Sequence, residues 1–163
     1  MKTSRSASWI LSTSIASLLA TAAGALQHTY PGNLCVPVTG DHPNQSARVI
    51  TDANGQIYNG SPSQSLEVVC PVIGPWNDLS DGDAEVWVTD RNSEEDVCCE
   101  ARLNNVGAIR VGTGACSQDT DTRVQTLSME PPVFNFSFTS RYFVCTIPPA
   151  DKGEQSGIRL YRY

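Results

Sequence analysis

Beyond residue 26 the chain alternates apolar and polar positions over short stretches, and no run of helical period survives between its prolines and glycines. All ten prolines and eleven of the twelve glycines lie in this region. Period-two segments recur at 47–51, 56–59, 65–72, 84–90, 96–103, 107–111, 123–128, 133–139, 141–147 and 157–163. Asn54-Gly55, between the first two, is a tight-turn signal. About ten short strands with frequent turns predict an all-β fold, a two-layer antiparallel β-sandwich, with a small β-barrel as the alternative.

The same alternation sorts the six cysteines. In the segment 96–103, Val97, Cys99, Ala101 and Leu103 share one face, while Cys98, Glu100 and Arg102 share the other. Cys99 is therefore expected to point inward and Cys98 outward. Phe143, Cys145 and Ile147 form an apolar face near the C-terminus, which pairs Cys99 with Cys145 in the core. Cys98 then pairs locally with Cys116, and Cys35 with Cys70, on a strand whose Leu66, Val68, Cys70 and Val72 share a face. Six cysteines permit fifteen connectivities, and alternation favours this one. The only close pair is the adjacent Cys98-Cys99, which is not a zinc-ligand spacing.

The N-terminus has a different character. Lys2 and Arg5 precede an uncharged stretch, mostly apolar from Trp9 to Leu19, that ends in Ala23-Gly24-Ala25. This is the layout of a cleavable secretory signal peptide over residues 1–25, leaving one domain over 26–163. The apolar part is too short and too rich in Ser and Thr for a stable membrane span. Cleavage leaves nine basic against seventeen acidic residues, a formal charge of −8. Such a balance disfavours nucleic acid and anionic lipid surfaces as partners, because both need clustered Lys and Arg. Export and an even cysteine count together predict a secreted protein, extracellular or periplasmic, with three disulfides.

Tyr30-Pro31-Gly32-Asn33-Leu34-Cys35, Val68-Val69-Cys70-Pro71-Val72, Tyr142-Phe143-Val144-Cys145-Thr146-Ile147-Pro148, Ser156-Gly157-Ile158 and Tyr161 together form a further pattern. In these the chain resembles a group of small secreted, cysteine-containing bacterial proteins of uncharacterised function. That group often carries an Arg-Asp pair after the Cys-Pro, where this chain has Ile73-Gly74-Pro75-Trp76. The resemblance implies a secreted, disulfide-bonded β protein and supplies no catalytic residue.

Candidate chemistry is sparse. The two histidines, His28 and His42, fit loops better than a hydrolase triad, and no G-x-S-x-G elbow is present. With every cysteine bridged, no thiol nucleophile remains, so no catalytic residue is assigned. Acidic residues crowd the stretch from Asp78 to Glu100, with Asp78, Asp81, Asp83, Glu85, Asp90, Glu94, Glu95 and Asp96 between. The strand expected over 84–90 places Glu85 on the side of Trp87, and the loops on either side hold most of the other acids, whose expected place is therefore in solvated loops. Asp78, Asp81 and Asp83, in a loop with Gly82, are candidate calcium ligands, although the segment departs from the helical calcium-loop pattern; Asp119 and Asp121 form a weaker pair. No other cofactor is expected. Phe134, Phe136 and Phe138 alternate as in a half-buried strand. Trp76, after Pro75 and beside Asn77, offers a flat ring for a sugar, and Tyr58, Tyr161 and Tyr163 are candidates to extend that platform.

The expected function is non-catalytic binding of an extracellular polysaccharide, envelope component or protein, with Trp76, Asn77 and Tyr58 as ligand-binding residues. A structural or inhibitor-type protein-interaction domain is the alternative. A carboxylate-dependent glycoside hydrolase using Asp81 or Asp83 comes third.

Overall fold

Period-two alternation resolves into two antiparallel sheets in the computed structural model, which describes residues 28–38, 44–73, 84–105, 107–118, 123–132 and 139–163. The strands are β1 (Thr29–Pro31), β2 (Val36–Pro37), β3 (Val49–Thr51), β4 (Ile57–Asn59), β5 (Leu66–Pro71), β6 (Ala84–Thr89), β7 (Cys98–Asn105), β8 (Ala108–Cys116), β9 (Val124–Met129), β10 (Ser140–Ile147) and β11 (Gly157–Arg162). The first sheet runs β3-β4-β11-β6-β9, with β1 pairing the far end of β11. The second runs β2-β5-β10-β7-β8. The layers form a sandwich, and the closed barrel is not formed.

Inward positions are those the alternation assigns. Val97, Cys99, Ala101 and Leu103 are buried, as are Leu66, Val68 and Cys70, and Phe143, Cys145 and Ile147. From the first sheet, Ile57, Val86, Val88, Leu127 and Ile158 face them. Tyr161 and Tyr163 are also core residues, which removes them from any surface platform. Tyr161 stacks on Tyr30 at 5.1 Å between ring centroids and meets the edge of Phe143 at 5.9 Å.

Several boundaries differ from the sequence reading, among them a 3-10 turn at Gln45–Arg48 where the strand over 47–51 is expected to begin, and a β7 at Cys98–Asn105 against the expected 96–103. β1 and β2 form despite Pro31 and Pro37, because each is a short strip where a missing N–H is tolerated. β8 continues to Cys116 through Gly112 and Gly114, where the turn signals predict an end at Val111. Gly112 marks a close approach of backbone: a Cβ there would collide with the Glu130 carbonyl and Pro132. The Thr113 amide donates to the Glu130 carbonyl at 3.0 Å, and the Glu130 amide donates to Thr113 Oγ1 at 2.6 Å, tying β8 to the segment after β9. The expected strand over 133–139, with Phe134, Phe136 and Phe138, lies outside the described residues except for Thr139.

The disulfides are Cys35–Cys70, Cys98–Cys116 and Cys99–Cys145, the pairs suggested by alternation. Cys98–Cys116 and Cys99–Cys145 lie within the second sheet, joining β7 to β8 and β7 to β10, while Cys35–Cys70 ties the segment between β1 and β2 to β5. Elsewhere cohesion between the layers is non-covalent. Part of it comes from Asp90, a fully buried residue just after β6. Its Oδ1 accepts from the Asn92 amide at 3.1 Å and Ser156 Oγ at 2.9 Å; its Oδ2 accepts from Ser117 Oγ at 2.5 Å and the Val97 amide at 3.3 Å. Asn59 works nearby: its Nδ2 donates to the carbonyls of Gln64, Ile147 and Pro148.

At the opposite end Tyr161 hydroxyl donates to the Pro71 carbonyl at 2.8 Å, linking the first sheet to the second. Burial, and secondarily the neighbouring Tyr30, push its pKa far above the ordinary tyrosine value of about 10. The neutral phenol is thus the form the fold favours, and this contribution is complete below pH about 10 and is lost as pH rises toward the folded-state value. Urea midpoints are expected to hold steady between pH 7 and 9 and to fall above about 10. Tyr161→Phe should flatten that decline; an unchanged alkaline slope in the variant would contradict the assignment.

Candidate functional site

Trp76, Asn77, Asp78, Asp81 and Asp83 lie outside the described residues, as do His42, Asp119 and Asp121. Of the expected ligand-binding set, Tyr58 is described, and it sits on the outer face of the first sheet. Glu85 and Glu100 lie on strands with outward side chains, as the alternation expects, and each is paired, Glu85 with Arg162 on the first sheet and Glu100 with Arg102 on the second. Asp90, at the end of its strand, is fully buried. Glu94, Glu95 and Asp96 are exposed in the loop before β7. Among the described residues, no three His, Cys, Asp or Glu side chains gather as a metal site.

The outer face of the first sheet can be read from its register. Tyr58 on β4 lies opposite Gly157 on β11, and Gly157 lies opposite Thr89 on β6. Two residues along, Trp87 lies between Leu160 on β11 and Thr126 on β9. Gly157 is what lets Tyr58 settle against the sheet, because a Cβ at that position would collide with the Tyr58 ring and the Ile57 carbonyl. Strand spacing and rise put the Tyr58 and Trp87 Cα atoms about 12 Å apart. Tyr58 hydroxyl donates to Gln56 Oε1 at 2.5 Å, with Asp52 Oδ2 at 3.3 Å. Its pKa is raised, first by burial and then by the Asp52 charge, with Arg159 and Arg91 acting the other way.

Asp52 organises the β3–β4 turn around this hydroxyl. Its Oδ1 accepts from the Asn54 and Gln56 amides at 2.9 and 3.0 Å, and these bonds, the one from Gln56 foremost, hold its pKa below the usual range. Gly55 closes the turn at φ +77°, a conformation that glycine adopts without strain. Trp87 is held differently, with the Arg162 guanidinium 5.2 Å from its ring centroid.

Between the two rings, β11 carries a bulge. Ile158 faces Val88 and Leu160 faces Trp87, so Arg159 is the extra residue. Its Nε donates to Thr89 Oγ1 at 2.7 Å. Sequence reasoning missed Trp87 and Arg159. The signal for Trp87 was available, since Glu85, Trp87 and Thr89 alternate with the inward Val86 and Val88. For Arg159 the only trace is that Ile158 and Tyr161, three apart, are both apolar and bulky.

The second sheet offers a groove of about 320 Å³ on its outer face. Glu67, Thr146, Val144, Glu100, Arg102 and the Cys98–Cys116 disulfide line it. Its floor carries no aromatic ring, and its arginine is already paired with Glu100. The outer face of the first sheet, with two rings and polar groups between them, is the better-furnished surface for a ligand.

No protein-family profile matches the chain, and no curated protein matches it. Among solved structures it is similar to a family two carbohydrate esterase from Cellvibrio japonicus, at 12% identity and a TM-score of 0.44. The match covers 84% of this chain and 33% of the esterase chain, so this chain spans about a third of that protein's length. A score this low leaves the reading of fold and function to the chain's own residues.

Proposed function

We propose that this is a secreted, non-catalytic domain that binds an extracellular polysaccharide on the outer face of its first sheet. The observation that carries the reading is Tyr58 seated over Gly157, two strands and two residues from Trp87, with Thr89, Arg159 and Gln56 supplying hydrogen-bonding groups beside the ring. A pyranose presents an apolar face of C–H groups and a rim of hydroxyls, and an aromatic platform with polar neighbours meets both demands. Three disulfides favour an extracellular or periplasmic environment, and among the described residues no helix is long and apolar enough to cross a membrane. The groups described on this face are rings and hydrogen-bonding side chains, which is the chemistry of binding.

The test is retention of the oxidised protein on insoluble polysaccharides and cell-envelope preparations, with Tyr58→Ala and Trp87→Ala beside Glu100→Gln from the second-sheet groove. Saturable binding, weakened about tenfold or more by each aromatic substitution and unaffected by Glu100→Gln, is expected. Loss with Glu100→Gln alone would move the site to the groove. Retention on no polysaccharide would overturn the reading in favour of a protein partner. A parallel arm with chelator examines the calcium-binding expectation for Asp78, Asp81 and Asp83.

A further inference from the structure

Arg159 is a cation with no carboxylate partner among the described residues. The same holds for Arg48, which donates to the Ser65 carbonyl, and for Arg141, which lies over the Tyr163 ring; of the three, Arg159 is the one on the Tyr58 face. In a protein with seventeen acidic residues, ion pairs join Arg91 to Glu154, Arg102 to Glu100, Lys152 to Asp151 and Arg162 to Glu85, yet Arg159 forms none among the described residues. Its Nε is committed to Thr89, a hydroxyl that is 97% buried (3% exposed) and cannot neutralise it. That bond orients the guanidinium and leaves its two Nη groups, the pair used in end-on bidentate contact with a carboxylate or sulfate. The bulge supplies the position: an extra residue in β11 turns Arg159 onto the outer face between Tyr58 and Trp87, and re-aiming a side chain is a recurrent use of β-bulges. Asp52, the nearest carboxylate to the Tyr58 hydroxyl, spends its Oδ1 on the turn amides.

Building on the polysaccharide reading above, we propose that this face selects an acidic saccharide, with the sugar ring against Tyr58 and its anionic group, a uronate carboxylate or a sulfate ester, on the Nη groups of Arg159. Charge complementarity at this one guanidinium argues for this occupant, a local attraction that acts against the repulsion of an anion by the chain's net negative charge. A cation held half-buried with only a neutral partner is stabilised by an incoming anion, and a sugar carrying its own carboxylate or sulfate delivers one at the edge of the ring it stacks. Neutral polysaccharides gain only the stacking.

The experiment measures affinity of the oxidised protein for soluble polygalacturonate, its fully methyl-esterified form, a neutral galactan and dextran sulfate, at low and high salt. Wild type is compared with Arg159→Gln, Arg159→Lys and Tyr58→Ala. At least tenfold tighter binding of polygalacturonate than of its methyl ester is expected, with the preference reduced by salt and abolished in Arg159→Gln while weak binding of the ester persists. Tighter binding of dextran sulfate than of polygalacturonate would identify the sulfate ester as the anion. Arg159→Lys should recover only part of the preference, since an ammonium lacks the two-pronged fork. Equal binding of acid and ester, or a preference that survives Arg159→Gln, would overturn the inference and leave the polysaccharide reading standing. Binding of none of the four polymers would overturn both.

Discussion

Replacing Asp90 with alanine should lower the unfolding free energy by about 3 to 5 kcal/mol, because it strands several buried donors at once. The Asn92 amide and the hydroxyls of Ser117 and Ser156 donate to one carboxylate, which the Val97 amide also reaches at 3.3 Å beside its nearer acceptor, Ser117 Oγ at 2.8 Å. These donors come from different parts of the fold. Asp90 and Ser156 flank strands of the first sheet, β6 and β11, while Val97 and Ser117 flank strands of the second, β7 and β8. No disulfide joins β6 or β11 to β7 or β8, so this junction has no covalent substitute. A domain of this size has roughly 5 to 15 kcal/mol of stability in total, so the loss is a large share of it. Asp90→Asn separates shape from chemistry, since the amide keeps the volume but turns one acceptor into a donor facing other donors. It should cost about 2 kcal/mol. Urea denaturation of the oxidised variants measures both, and a loss below about 1 kcal/mol for Asp90→Ala would show that water or rotated hydroxyls satisfy the junction.

Asp90 also shows where sequence reasoning stops. Alternation within single strands read the layers, the inward faces and the disulfide partners, because a buried face needs period two and a cysteine on that face needs a partner on the same side of the sheet. Val97, Cys99, Ala101 and Leu103 are buried for that reason. Alternation says nothing about an acid at the end of a strand, whose environment is set by residues such as Ser117 and Ser156, 27 and 66 positions away. The sequence places Asp90 at the end of a strand and gives no sign that its carboxylate is buried. The same limit applies to the proposed binding face: Tyr58 was legible only as an aromatic that could extend a platform from Trp76, and its seat on Gly157 depends on the pairing of β4 with β11, 99 residues apart in sequence. Tyr161 and Tyr163 were misread because the bulge at Arg159 shifts the phase of β11, putting both tyrosines inside.

The second sheet owes its integrity to the Cys99–Cys145 bond, and its removal in a Cys99→Ala, Cys145→Ala variant is expected to cost about 4 to 5 kcal/mol. The bond closes a loop of sequence separation 46, which by chain entropy alone contributes about 4 kcal/mol. Both sulfurs lie in the core, so alanines also leave a small void beside Phe143 and Ile147. Cys98–Cys116 gives the comparison. It closes a separation of only 18, its Cys116 is exposed, and its removal should cost about 3 kcal/mol with no void to add. Exposure predicts a kinetic order as well, because thiol–disulfide exchange requires in-line access to sulfur. Titration with a dithiol, followed by alkylation and peptide mapping, should open Cys98–Cys116 first and Cys99–Cys145 only with global unfolding. Such partial reduction frees β8 at the sheet edge while β7 stays clamped to β10, and leaves the β4–β11–β6 face intact. Saccharide binding should therefore survive opening of the first bond and disappear with the second. Binding lost at the first step would place the ligand on the groove beside Cys98–Cys116.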